Sequence, residues 1–160
     1  MKKGTRGEAA IRVEAPPGDV YALVSDVTRM GEWSPETTSA DWVDGATGPE
    51  VGARFKGRNR HGLARWSTTP RVVAADPGRE FAFTTTWLGK DNTRWTYRFE
   101  PDGSGTRVTE SFEMLVDVPW YFTTSERWLM KVKDRKADLE AAMAETLERL
   151  KVAVEGSPST

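Results

Sequence analysis

Glu110 is the residue whose surroundings first suggest chemistry. In TRVTESFEML (106–115) strand alternation puts Val108, Glu110, Phe112 and Met114 on one face. A carboxyl on an apolar face either finds a partner or has its pKa raised toward neutrality, where it can exchange protons. Tyr97, in TRWTYRFE (93–100), offers a phenol on the same kind of face, and Asn59, Thr68 and Thr85 supply further polar groups among apolar neighbours. Two readings of Glu110 stay open: an acid–base residue assisted by Tyr97, or a carboxylate paired with a neighbouring Arg or placed at a rim. With Tyr97, it is the best catalytic candidate in the chain.

Other chemistries find little support. The chain has no cysteine, so thiol catalysis, disulfides and Cys-based metal sites are excluded, and the composition fits a reducing cytoplasm. His61 is the only histidine and stands beside Gly62, which reads as an exposed hairpin turn. A zinc site would then need three carboxylates, so no metal is expected. GPEVGARFKG has glycines but no following helix to hold a phosphate, and no G-x-S-x-G, Walker or dinucleotide-binding motif occurs, so no cofactor is indicated. The net charge of −1 over 160 residues argues against a nucleic-acid partner. No apolar run approaches the roughly 20 residues that span a bilayer, and MKKGTRGEAA has no apolar segment behind its basic residues, so neither an integral membrane association nor a secretory signal is expected.

The elements that must position these groups follow from periodicity. EAAIRVE (8–14) reads as a strand, ended by Pro16-Pro17-Gly18-Asp19. Val20, Leu23, Val24 and Val27 then recur at helical spacing. Ser25-Asp26 offers a cap for a second short helix through Met30, and Gly31 a natural stop. From 38 to 115 the pattern becomes period-2 runs (38–44, 53–60, 64–75, 80–88, 93–100, 106–115). They are separated by His61-Gly62, Asp76-Pro77-Gly78, Gly89 to Asn92 and Pro101 to Gly105. Short turns make consecutive strands antiparallel. Trp128, Val132, Leu139, Met143, Leu147 and Leu150 then form one helical stripe; a helix from about 124 to 150 would be on the order of 40 Å long and must lie on the sheet. The class is α+β: a seven-stranded antiparallel sheet, two short helices between strands one and two, and a long C-terminal helix. A single domain over 1–152 with a flexible tail at 153–160 is expected.

Alternation also sorts the two sheet faces. Phe55 and Asn59 point in, opposite Arg54, Lys56, Arg58 and Arg60; Phe83, Thr85 and Trp87 point in, as do Trp95 and Tyr97. Trp66 and Thr68 are assigned inward although Pro70 marks a bulge or an edge in their run. A dry core tolerates few unpaired polar groups, each costing roughly 1–3 kcal/mol. The set Asn59, Thr68, Thr85, Tyr97 and Glu110 on an otherwise aromatic face therefore points to a cavity between sheet and helix. Its lining is Phe55, Asn59, Trp66, Thr68, Phe83, Thr85, Trp87, Trp95, Tyr97, Glu110 and Phe112, with Leu139 and Met143 from the helix.

The segments APPGDVYALVSDVTRMGEWSPE, GPEVGARFKG, DPGREFAF and WTYRFEPDGSGTRVTESFE, in this order, give the chain its resemblance. Over residues 7–150 it resembles the SRPBCC superfamily of START-like and pollen-allergen-like helix-grip proteins, in the polyketide cyclase/dehydrase-like branch common in bacteria. The resemblance implies a curved sheet gripping the C-terminal helix around a hydrophobic cavity, with the two short helices framing its mouth. It implies a small apolar or amphipathic ligand: a lipid, a polyketide or an isoprenoid-like molecule. The alternatives are a cyclase, aromatase or dehydratase-type enzyme in the same cavity, in which Glu110, Tyr97, Asn59 and Thr85 assist dehydration or enolisation, and a protein-interaction module with a collapsed core. The sequence leaves monomer and homodimer both open.

Overall fold

The computed structural model describes residues 2–87, 89–117 and 135–156. Strand β1 (Arg6–Val13) is followed by helix α1 (Pro17–Ser25), a 3-10 helix (Val27–Glu32), and strands β2 (Thr37–Val43), β3 (Arg54–His61), β4 (Ala64–Thr68), β5 (Arg71–Asp76), β6 (Glu80–Trp87), β7 (Lys90–Asp102) and β8 (Gly105–Met114), then helix α2 (Arg135–Glu155). All strand pairs are antiparallel, in the order β1-β8-β7-β6-β5-β3-β2, with β4 paired to β3 beside that path. This is the expected α+β helix-grip architecture.

The expected strand 64–75 is two pieces. Proline has no N–H to give a ladder and restricts the residue before it, so the run breaks at Thr69-Pro70. Strand β3 pairs with β4 from Gly57–Thr68 to His61–Ala64, and with β5 only at Arg54–Arg71. The Phe55 N–H donates to the Pro70 carbonyl at 3.1 Å, which carries the sheet across the break. The β6–β7 connection is tighter than expected: Trp87 already pairs with Lys90, so Asp91 and Asn92 belong to β7.

Pro17 opens α1, where its fixed φ suits the first turn, and Val20, Tyr21, Leu23 and Val24 are buried. Asp26 caps the next turn, accepting from the Thr28 N–H at 3.2 Å and the Thr28 hydroxyl at 2.5 Å. The expected second helix is this 3-10 turn, with Val27 and Met30 buried. Gly31 lies inside it and does not terminate it. A Cβ there would stand well inside van der Waals contact with the Thr38 carbonyl oxygen, so the residue is glycine because β2 passes against it. Trp33 is 1% exposed and belongs to the main core.

Helix α2 lies along β1. The Lys151 ammonium donates to the Arg12 carbonyl at 3.0 Å, and the Glu14 N–H donates to the Glu155 carboxylate at 2.7 Å. The helix thus runs to Glu155, past the expected boundary at 152. Leu147 and Leu150 join the main core with Phe81, Phe99 and Val108, while Leu139 and Met143 form a second cluster with Phe112 and Met114. The four- and three-residue steps between these leucines and Met143 keep them on one face. Trp120, Tyr121, Phe122, Trp128 and Val132 lie outside the described residues.

Candidate functional site

Tyr97 and Glu110 stand directly opposite each other on β7 and β8, with Phe81 opposite Tyr97 on β6 and Ala9 opposite Glu110 on β1. All four share one face of the sheet, and Phe81 and Tyr97 lie in the main core cluster with Leu147 and Leu150 of α2. The Tyr97 hydroxyl donates to Glu110 Oε1 at 2.9 Å. Glu110 is 4% exposed and its second oxygen, Oε2, has no hydrogen-bond partner among the described residues. Burial pushes the Glu110 carboxyl up to about 8, partly opposed by the hydrogen bond from Tyr97; the Tyr97 phenol is raised by the same burial and by the adjacent carboxyl. Near neutrality Glu110 is therefore mostly a neutral acid. With Tyr97 donating to Oε1, its own proton belongs on Oε2, a donor with no acceptor. No arginine among the described residues pairs with it, so of the two readings open in the sequence, neither the Arg pair nor the rim is what the fold builds.

The carboxyl sits between the two apolar clusters. Val108, one inward position before it on β8, belongs to the main core; Phe112, one inward position after it, belongs to the second. The inner face changes character along its length. Phe55, Phe83, Tyr97, Phe112, Leu139 and Met143 are buried, and rings meet edge-on at Phe55–Phe83, with centroids 5.1 Å apart. Asn59, Trp66, Thr68, Thr85 and Trp95 are half-buried, and Trp95 packs against both clusters. Several of these polar groups already have partners: Asn59 Oδ1 accepts from the Thr37 hydroxyl at 2.8 Å, and Asn92 Oδ1 accepts from the Thr85 hydroxyl. The side chain of Trp87 lies outside the described part of the structure.

A separate open cleft of about 390 Å³ lies between the end of β3 and α2. Pro35, Glu36, Arg60, His61, Asp138 and Glu145 are among its lining, and none of the expected ligand-lining residues is. His61 corrects an expectation. It closes β3 half-buried, with Nε2 3.0 Å from Asp138 Oδ2, where an exposed turn residue was expected. The expectation against a metal rested on the chain having no cysteine and one histidine, so that a zinc site would need several carboxylates beside it. One ligand atom each from Glu36, His61 and Asp138 in fact lie within 4.8 Å of one another. Glu36 and Asp138 were not singled out in the sequence because nothing local marks them: they are brought to His61 by the chain's approach to β2 and by the first turn of α2.

The chain matches, over residues 5–155, the family described as polyketide cyclase / dehydrase and lipid transport. It belongs to that family. Among solved structures, it is similar to the Polyketide_cyc-like protein Cgl2372 of Corynebacterium glutamicum, with 35% identity, 97% of this chain and 94% of that one covered, and a TM-score of 0.63. The fold is shared at lower identity by TTHA0849 of Thermus thermophilus (21%, TM-score 0.69, covering 97% of this chain and 100% of that one). It is also shared by DynU16 of the dynemicin biosynthetic locus (18%, TM-score 0.63, covering 94% of this chain and 47% of that one). No curated protein matches the chain. In this polyketide cyclase/dehydrase family member, no helix among the described residues is long and apolar enough to cross a membrane.

Proposed function

We propose that this protein binds a small apolar or amphipathic molecule (a lipid, polyketide or isoprenoid-like compound) between the sheet and α2, with Glu110 as its polar contact. The observation that carries the reading is the unpartnered Oε2 of a carboxyl 4% exposed. An orphaned buried polar atom costs roughly 1–3 kcal/mol unless something satisfies it. A neutral acid whose other oxygen is occupied by Tyr97 offers a hydrogen to an acceptor, so the matching ligand carries a carbonyl or hydroxyl oxygen among apolar atoms. The half-buried Trp66 supplies aromatic surface at the more polar end of the same face. The family description, which joins cyclase, dehydrase and lipid transport, supports the ligand class.

The second reading, a cyclase, aromatase or dehydratase-type enzyme, uses the same group. A carboxylic acid with a pKa of about 8 can protonate an enolising carbonyl or a leaving hydroxyl and take the proton back. Native and denaturing mass spectra of the purified protein test the binding reading: a bound small molecule present in the first and absent in the second is expected. Tryptophan fluorescence titrations with oleate, farnesol and a linear poly-keto analogue extend the test. No adduct and no saturable response to any of the three sinks the proposal in favour of a collapsed-core interaction module. If the poly-keto probe is converted by the wild type and bound but not converted by Glu110→Gln, the enzyme reading stands.

A further inference from the structure

The cleft beside α2 holds a donor set that the apolar-ligand reading does not use. Three elements distant in sequence deliver it. The Glu36 carbonyl accepts from the Arg60 N–H at 2.8 Å, which fixes the approach to β2 beside the end of β3. His61 is the last residue of β3, and Asp138 lies in the first turn of α2. The imidazole Nε2 is 3.0 Å from Asp138 Oδ2, and a carboxylate oxygen of Glu36 completes a triangle with all sides within 4.8 Å. All three residues are half-buried, and their open side is the cleft of about 390 Å³.

We propose that Glu36, His61 and Asp138 form a binding site for a divalent transition metal ion, zinc(II) fitting best. One imidazole nitrogen and two carboxylate oxygens suit a borderline ion; calcium and magnesium take oxygen sets and gain nothing from the imidazole. Zinc bonds of about 2.0–2.2 Å to nitrogen and oxygen put tetrahedral ligand atoms roughly 3.3 Å apart. The His61–Asp138 separation is already near that, and the Glu36 carboxylate oxygen lies within 4.8 Å of both. Three protein ligands leave the fourth position facing the cleft, the arrangement of zinc sites that hold an exchangeable water or ligand. The ion would also fasten the β3–β4 hairpin to α2 at the edge of the inner face. This site is independent of Glu110 and its reading.

The test uses the full-length protein stripped with a chelator. Calorimetric titration with zinc chloride is expected to show one equivalent bound with a dissociation constant at or below about 10 μM. Cobalt(II) is expected to give the intense visible bands of a tetrahedral nitrogen–oxygen site. His61→Ala and the near-isosteric Glu36→Gln are each expected to weaken zinc binding by roughly 10–100-fold, with far-ultraviolet circular dichroism unchanged for Glu36→Gln. Wild-type protein that takes up no stoichiometric zinc, or zinc affinity unchanged in both variants, overturns the site.

Discussion

The Tyr97 hydroxyl lies 2.9 Å from Oε1 of Glu110, directly across the β7–β8 pair, and this is the hydrogen bond Glu110 makes while its Oε2 has none among the described residues. The pair makes stability depend on pH in an unusual direction. The Glu110 carboxyl titrates near 4.5 when unfolded and is pushed up to about 8 in the fold. Between those values the folded state holds a proton that the unfolded chain has lost. Stability is therefore fully present at the acid end of this window and falls as pH rises through it. At about 1.36 kcal/mol per pKa unit the fall amounts to a few kcal/mol. Urea midpoints of the wild type should decrease from about pH 5 to about pH 9, while those of Glu110→Gln stay nearly level, so that the variant becomes the more stable protein at the alkaline end. Parallel curves for the two would remove Glu110 as the source.

Replacing Tyr97 by Phe removes the donor that partly offsets burial. Both oxygens of the carboxyl then lack a partner, so the Glu110 pKa rises further and the protein loses roughly 1–3 kcal/mol. Carboxyl carbon shifts followed by NMR across pH should show the Glu110 titration moving to higher pH in Tyr97→Phe. A shift to lower pH would mean that the phenol destabilises the carboxylate.

Alternation alone placed Phe55, Phe83, Tyr97, Glu110 and Phe112 on the inner face, because a strand's period of two leaves no freedom once one face must be buried. The same alternation anticipated the main strand runs, and three- and four-residue spacing the helix stripe through Leu139, Met143, Leu147 and Leu150. What was not legible depends on where separate elements meet. Pro70 announced a break, yet only the pairing of β3 with both β4 and β5 shows that the sheet continues through it. His61 looked like a turn residue because Gly62 follows it; its partner Asp138 is 77 residues away, and no local pattern links them. Gly31 looked like a helix stop, whereas its reason is the carbonyl of Thr38 on the neighbouring strand.

That contact makes Gly31→Ala a sharp test of the corner. The new Cβ would collide with the Thr38 carbonyl oxygen, and a backbone atom cannot swing aside as a side chain can. The 3-10 helix and the start of β2 must separate, loosening Met30 and Trp33, which are buried in the core. A loss of about 1–3 kcal/mol is expected, typical of forcing extra volume into a packed site. It is read as a lower thermal midpoint in a differential scanning experiment. An unchanged midpoint would mean the corner has slack that the packing does not show.

Gly7 tests how closely α2 is held to the sheet. It pairs with Phe112 across β1 and β8, and a Cβ on it would come within 2.6 Å of Phe112 Cε1 and 3.0 Å of Glu140 Cγ. The two obstacles differ. Glu140 is half-buried with a flexible stem and can give way, but the Phe112 ring is 1% exposed and packs against Trp95, centroids 5.7 Å apart. Gly7→Ala should therefore lose about 1–3 kcal/mol, most of it through the ring. Phe112→Leu alone also destabilises by leaving space, but in the double variant the alanine methyl enters part of that space. The double variant should then be more stable than the sum of the single losses predicts, a coupling of roughly 0.5–3 kcal/mol. Strict additivity would put the strain of Gly7→Ala on Glu140 and the helix, and would locate the tight contact between α2 and β1 and not between β1 and the Phe112 ring.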